Sequence, residues 1–84
     1  MTREEAYDYL REEASDTQFG LMVHITRVEK AIKAVGEDDE LIDKALEYAA
    51  DYESDNSIDW VDIDNAKYFI DVALGMEDEE DPWI

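Results

Sequence analysis

Cysteine is absent from the chain, so neither a disulfide framework nor a thiolate metal site can form. That fits a reducing compartment, and a cytoplasmic location is expected. Long apolar runs are absent too, and nothing approaches the roughly 18–20 residues of a membrane span. The opening stretch, MTREEAYDYL, is acidic and lacks the apolar core of a secretory signal. Glycine is scarce, and no P-loop, dinucleotide fingerprint or G-x-S-x-G elbow occurs. Bases are the telling shortage: seven Lys and Arg stand against 25 Asp and Glu, a net charge of −18 over 84 residues. Such a surface repels nucleic acid and anionic membranes and selects a positively charged partner.

Apolar residues are plentiful, at 45%, with two Trp, five Tyr and two Phe. They recur with a helical period, which argues for a folded domain rather than an acidic disordered chain. One helical domain is expected over residues 1–75, followed by a mobile acidic tail, 76–84.

The expected fold is all-α, a small bundle of about four helices. Thr2 with Glu5 forms a capping box for a helix over 3–14, with Ala6, Leu10 and Ala14 on one face. Ser15 with Gln18 offers a second box for a helix over 16–35, whose stripe is Leu21, Ile25, Val28, Ile32 and Val35. Gly36 stands where a C′ glycine would end it. Asp38 caps a third helix over 39–53, with Ile42, Ala45, Leu46 and Ala49 inward. A fourth runs over 58–74, capped by Ser57 or Asp59, with Ile63, Ala66, Ile70 and Ala73 inward, and Gly75 ends it. Residues 58–63 also read as a short extended segment. A three-helix core with a loosely attached first helix is the nearest competitor. No internal repeat is evident.

The charge is lopsided. Residues 1–36 hold seven acids and five bases, whereas 37–84 hold eighteen acids and two bases, Lys44 and Lys67. Within the third helix, Asp39, Asp43, Glu47 and Asp51 recur every fourth residue, with Asp55 next in the series. Like charges at this spacing repel by roughly 0.2–0.5 kcal/mol per pair. Helix-dipole stabilisation accounts for acids near the helix start but not for Asp51 and Glu53 near its end. A solvated face is the bland reading. The sharper one is spacing. Each step of the row advances about 6 Å along a helix axis. A DNA strand carries a charge every ~3.4 Å of its own axis and winds around it, so the row approximates a run of phosphates. The candidate partner-binding residues are therefore Asp39, Asp43, Glu47, Asp51, Glu53, Asp55, Asp59 and Asp62. A secondary set comprises Glu77, Asp78, Glu79, Glu80 and Asp81.

Other chemistries fit less well. An EF-hand loop started at Asp55 or Asp62 puts Trp60 or Lys67 where Gly is required, and Ala66 or Ala73 where Glu is required. Nothing marks one carboxylate pair as a general acid and base. His24, the one histidine, reads as a boundary residue beside the Leu21/Ile25 stripe. The expectation is no enzyme, no cofactor and no metal. Trp60, Tyr48, Tyr52 and Tyr68 are read as core-edge packing or as apolar anchors beside the charges. Trp83, after Pro82, is a clasp onto the domain or an exposed contact.

The acid row, the charged second half, the helical pattern and the tail Glu77-Asp78-Glu79-Glu80-Asp81 together resemble the small acidic DNA-mimic inhibitors of bacteriophages and mobile elements. These include the Ocr-like antirestriction and anti-CRISPR proteins. The resemblance is to a class and rests on no aligned motif. It implies a host nucleic-acid-binding protein as partner, such as a restriction or CRISPR effector, inhibited through its basic cleft in the bacterial cytoplasm. It implies no direct contact with nucleic acid or membrane, and a homodimer would extend the acidic face. Two alternatives come from other classes: an acidic adaptor or antitoxin that binds one basic protein without mimicry, and a halophile's surface-acidified housekeeping domain.

Overall fold

A computed structural model describes residues 1–76; the acids at 77–81 and Trp83 lie outside the described residues. The elements are α1 (Arg3–Glu13), β1 (Ser15–Thr17), β2 (Gly20–His24), α2 (Ile25–Val35), α3 (Asp39–Asn56), β3 (Trp60–Asp62) and α4 (Ile63–Leu74). The domain is mostly helical, with a three-stranded antiparallel sheet in the order β1-β2-β3.

The expected all-α bundle is corrected at two places. Residues 16–24 are not helical, and Ser15 and Gln18 cap nothing; both are exposed in a β-hairpin. Gly20 has φ +97, and its carbonyl accepts from Thr17 Oγ1 at 2.8 Å across the Gln18–Phe19 turn. Mid-helix, that glycine would cost about 1 kcal/mol relative to Ala. In the turn its missing Cβ is what the left-handed φ requires. Pairing with β3 satisfies the β2 backbone and buries Val23 against Val61. Leu21, placed on the buried stripe by its spacing, is instead 41% exposed. The stripe proper begins at Ile25, and Ile25, Val28, Ile32 and Val35 are buried as expected.

The second correction is the start of α4. Residues 60–62 are extended, and the cap is Asp62 rather than Ser57 or Asp59, with Asp62 accepting from Asn65 N at 3.2 Å. A third difference is the end of α3, expected at 53 but reaching Asn56, with Ser57 as the left-handed cap; the other caps agree with expectation. Thr2 and Glu5 form the reciprocal capping box, and Asp38 accepts from Glu40 N. Gly75 adopts φ +70, with Met76 N donating to Asp71 O at 2.8 Å in a Schellman closure. Gly36 ends α2 without a left-handed φ. It is needed for space, since a Cβ there would run into Ile42 Cγ1.

α1 is not loosely attached. It packs on α2 and α4, and Arg3 Nε and Nη2 grip both oxygens of Asp71 at 2.9 and 3.1 Å. Tyr7 Oη donates to the same carboxylate at 2.5 Å.

The chain also contains an internal repeat that its residue types conceal. α1-β2-α2 and α3-β3-α4 are equivalent units. The buried positions 23, 28, 31, 32 and 35 of the first recur 38 residues later as 61, 66, 69, 70 and 73, with Ile25 matched by half-buried Ile63. Ala6 and Leu10 match Ala45 and Ala49 at a spacing of 39. The sheet register obeys the same symmetry: Val23 faces Val61 at the centre, with Met22 opposite Asp62 and His24 opposite Trp60. α1 touches α4 as α3 touches α2, and α2 and α4 pack on each other. Such reciprocal pairing marks a two-fold relation. The first unit adds β1; the second extends α3 by more than a turn.

Candidate partner-binding surface: an acidic helix and an aromatic groove

α3 is anchored through Ala45 and Ala49, both fully buried, with Ile42 and Leu46 against the core margin. Small residues let it lie close to α4, and its far side is left to solvent. Asp39, Asp43, Glu47 and Asp51 are all exposed there. Because α3 continues to Asn56, Asp55 joins them on the same helix, also exposed. Among the described residues, none of the five has a hydrogen-bond or ion-pair partner for its side chain. Nor does any base stand in the last turn of α3 to answer the helix dipole.

The first half behaves differently. Arg11 lies 3.8 Å from Asp8, and Arg27 lies 3.7 Å from Glu13. On α2, Arg27 thus meets an acid of α1, while Lys30 lies 5.8 Å over the Tyr9 ring.

The remaining candidate acids separate. Asp59 is exposed, and its backbone carbonyl accepts from Ile25 N at 2.7 Å. Glu53 is half-buried. Asp62 is half-buried and engaged internally, since it caps α4 and accepts from Tyr52 Oη at 2.9 Å and from Asn65 Nδ2. Burial, then the hydrogen bond to Asp62 and its charge, raise the Tyr52 phenol above the ordinary value of 10.0.

The row is not straight. Each four-residue step turns about 40° around the helix, so Asp51 and Asp55 come round beside Tyr48 and Tyr52. There an open groove of about 640 Å³ runs between the second half of α3 and the start of α4. Tyr48, Tyr52, Tyr68 and Phe69 line it with Asp51, Asp55, Asn56 and Asn65. Tyr48 and Tyr68 are parallel, their centroids 6.4 Å apart. Phe69 meets Tyr52 and Tyr68 edge-on. Of the aromatics expected around the acidic half, three meet here, whereas Trp60 packs edge-on against His24 at 5.3 Å. Asn56, Asn65 and the groove itself were not legible. Tyr48 and Tyr52, one turn apart, were the available signal.

No three of His, Asp or Glu among the described residues come together in a way that could hold a metal ion. No described helix is long and apolar enough to cross a membrane. No protein-family model, curated protein or solved structure matches this chain. The chemistry of the surface is therefore the guide to its use. The five carboxylates, unpaired among the described residues, run along ~24 Å of helix and end at the aromatic groove.

Proposed function

We propose that the acidic half acts as a nucleic-acid mimic. In this reading it occupies the basic cleft of a DNA- or RNA-binding host protein, such as a restriction or CRISPR effector, and inhibits it by competition. One observation carries the reading: five carboxylates wind along one helix with no side-chain partner among the described residues. Their steps of about 6 Å, and the right-handed drift of the row, follow a phosphate backbone's spacing and sense. The partner's Lys and Arg recover the cost of holding like charges together. A uniform halophilic surface would not leave residues 1–36 near neutrality, with seven acids and five bases.

The test replaces Asp43, Glu47 and Asp51 by Asn, Gln and Asn. Wild-type protein on a matrix is expected to retain a nucleic-acid-binding protein from a bacterial lysate at moderate salt. A DNA or RNA duplex should release it, and the triple variant should fail to capture it. Capture that nucleic acid cannot reverse would assign the surface to an adaptor instead.

A further inference from the structure

The groove has a counterpart in the first unit, and the two are finished differently. Matching α1 to α3 and α2 to α4 brings Tyr9 onto Tyr48, Glu12 onto Asp51, Arg27 onto Asn65 and Lys30 onto Tyr68. In the first unit two of the chain's own cations lie at this face. Lys30 Nζ lies 5.8 Å from the Tyr9 centroid, and Arg27 Nε lies 3.7 Å from Glu13. In the second unit both bases are replaced, by Asn65 and Tyr68, and an open groove of about 640 Å³ takes their place. Tyr9 and Glu12 keep their character as Tyr48 and Asp51, whereas Glu13 and Ala31 give way to Tyr52 and Phe69, so the second unit gains an aromatic wall, with Asp55 added by the longer α3.

We infer that this groove receives an arginine side chain from a basic segment of the partner protein. The inference rests on the proposed function only in taking the partner to be basic. Charge complementarity selects a cation, and at the matching face of the first unit Lys30 lies over Tyr9 and Arg27 beside Glu13. The walls favour arginine over lysine. A guanidinium is planar and weakly hydrated, stacks on tyrosine faces, and can present paired N–H groups to Asp51 or Asp55. Tyrosine rings of this fold, one of them in the groove, already draw cations. Arg3 lies 5.1 Å from the Tyr7 centroid, and Lys44, outside the groove lining, lies 5.7 Å from that of Tyr48.

The test measures binding of fluorescein-labelled hexa-arginine and hexa-lysine to the full chain by fluorescence anisotropy at two salt concentrations. Hexa-arginine should bind about five-fold or more tightly than hexa-lysine. Asn65→Arg restores the first unit's cation and should cost about ten-fold in hexa-arginine affinity. Asp39→Asn makes the same charge change at the far end of α3 and should cost less than about two-fold, as expected of an exposed, screened charge. Asp55→Asn, exposed and fold-neutral, should fall between them, so a folding defect in Asn65→Arg leaves the test intact. Equal affinity for the two peptides, or equal losses at 39, 55 and 65, would overturn the inference. So would a ten-fold gain on deleting 77–84, which makes the chain's own tail the occupant, or a dimer dissolved by Asn65→Arg. If a duplex fails to release the captured partner while the Asn65 effect persists, mimicry alone is refuted.

Discussion

In the first unit Arg27 pairs with Glu13 and Lys30 covers Tyr9; at the matching places of the second stand Asn65 and Tyr68, beside Asp51 and Asp55 with no ion-pair partner among the described residues. The same framework is thus used in two ways. One copy answers part of its own surface charge through the Arg11–Asp8 and Arg27–Glu13 pairs. The other leaves the acids along α3 without a side-chain partner among the described residues. Apolar positions are shared because they decide the fold; the charged positions have diverged because they do not.

The largest effect that would break this comparison lies in the core. Ile25→Asp should unfold the domain, since burying an unpaired carboxylate costs several kcal/mol, about 3 or more. Leu21→Asp, on the same helical spacing but exposed on the hairpin, should shift stability by no more than about 0.5 kcal/mol. Thermal melts followed by circular dichroism separate the two. Equal damage would restore a continuous helix over 16–35 and remove the repeat.

Next come acids that differ in use. Asp62→Ala loses the α4 cap and the Tyr52 and Asn65 bonds and should cost about 1–2 kcal/mol. Tyr7→Phe loses the hydroxyl between Arg3 and Asp71 and should cost about 1 kcal/mol. Replacing Asp43, Glu47 and Asp51 together should leave chemical denaturation unchanged or move it to slightly higher denaturant, because like-charge pairs are relieved. A loss of stability in the triple variant would make the row structural.

Salt should act with opposite signs on fold and binding. Between roughly 0.05 and 0.5 M NaCl, screening should raise the melting temperature of the isolated domain and weaken partner capture. A domain that unfolds at the lower salt would point to halophilic adaptation.

The smallest effect is with pH. Tyr7 and Tyr52 are both raised above the ordinary 10.0, mainly by burial and then by hydrogen bonds to Asp71 and Asp62. Folding therefore favours their protonated forms. That stability is complete below the unfolded value and is lost as pH climbs through the raised folded values. At the acid end, Thr2 N–H and hydroxyl bonds hold the Glu5 carboxyl below its ordinary range, so its contribution is present at neutrality and lost as pH falls below 4.5. The alkaline decline should flatten in Tyr7→Phe and Tyr52→Phe relative to each variant's own neutral value.

Much of the helical framework was legible because caps and periodicity are local. Thr2, Asp38 and Gly75 act where their side chains or φ values suggest, and the α3 and α4 faces follow from a 3.6-residue period. The hairpin was hidden because Leu21 happens to precede Ile25 by four residues. β2 also buries the neighbours Met22 and Val23, so it shows no alternation. Gly20 was the overlooked punctuation. The repeat escaped notice because only buried positions keep it, and it swaps Val28 for Ala66 and Ala31 for Phe69. The acid row could be read along one helix. The groove could not, because it forms only where α4 lies against α3, and nothing local pairs Asn65 with Asp55.

The short link at Gly36 gives the two-fold arrangement one more consequence. Cut there, the units would be two chains that recognise each other as subunits do. A pair of second units would set two acidic bodies against each other, whereas first with second brings together one nearly neutral body and one acidic body. The uneven charge thus chooses the mate: fragments 1–36 and 37–84, mixed in dilute salt, should find each other in preference to their own kind.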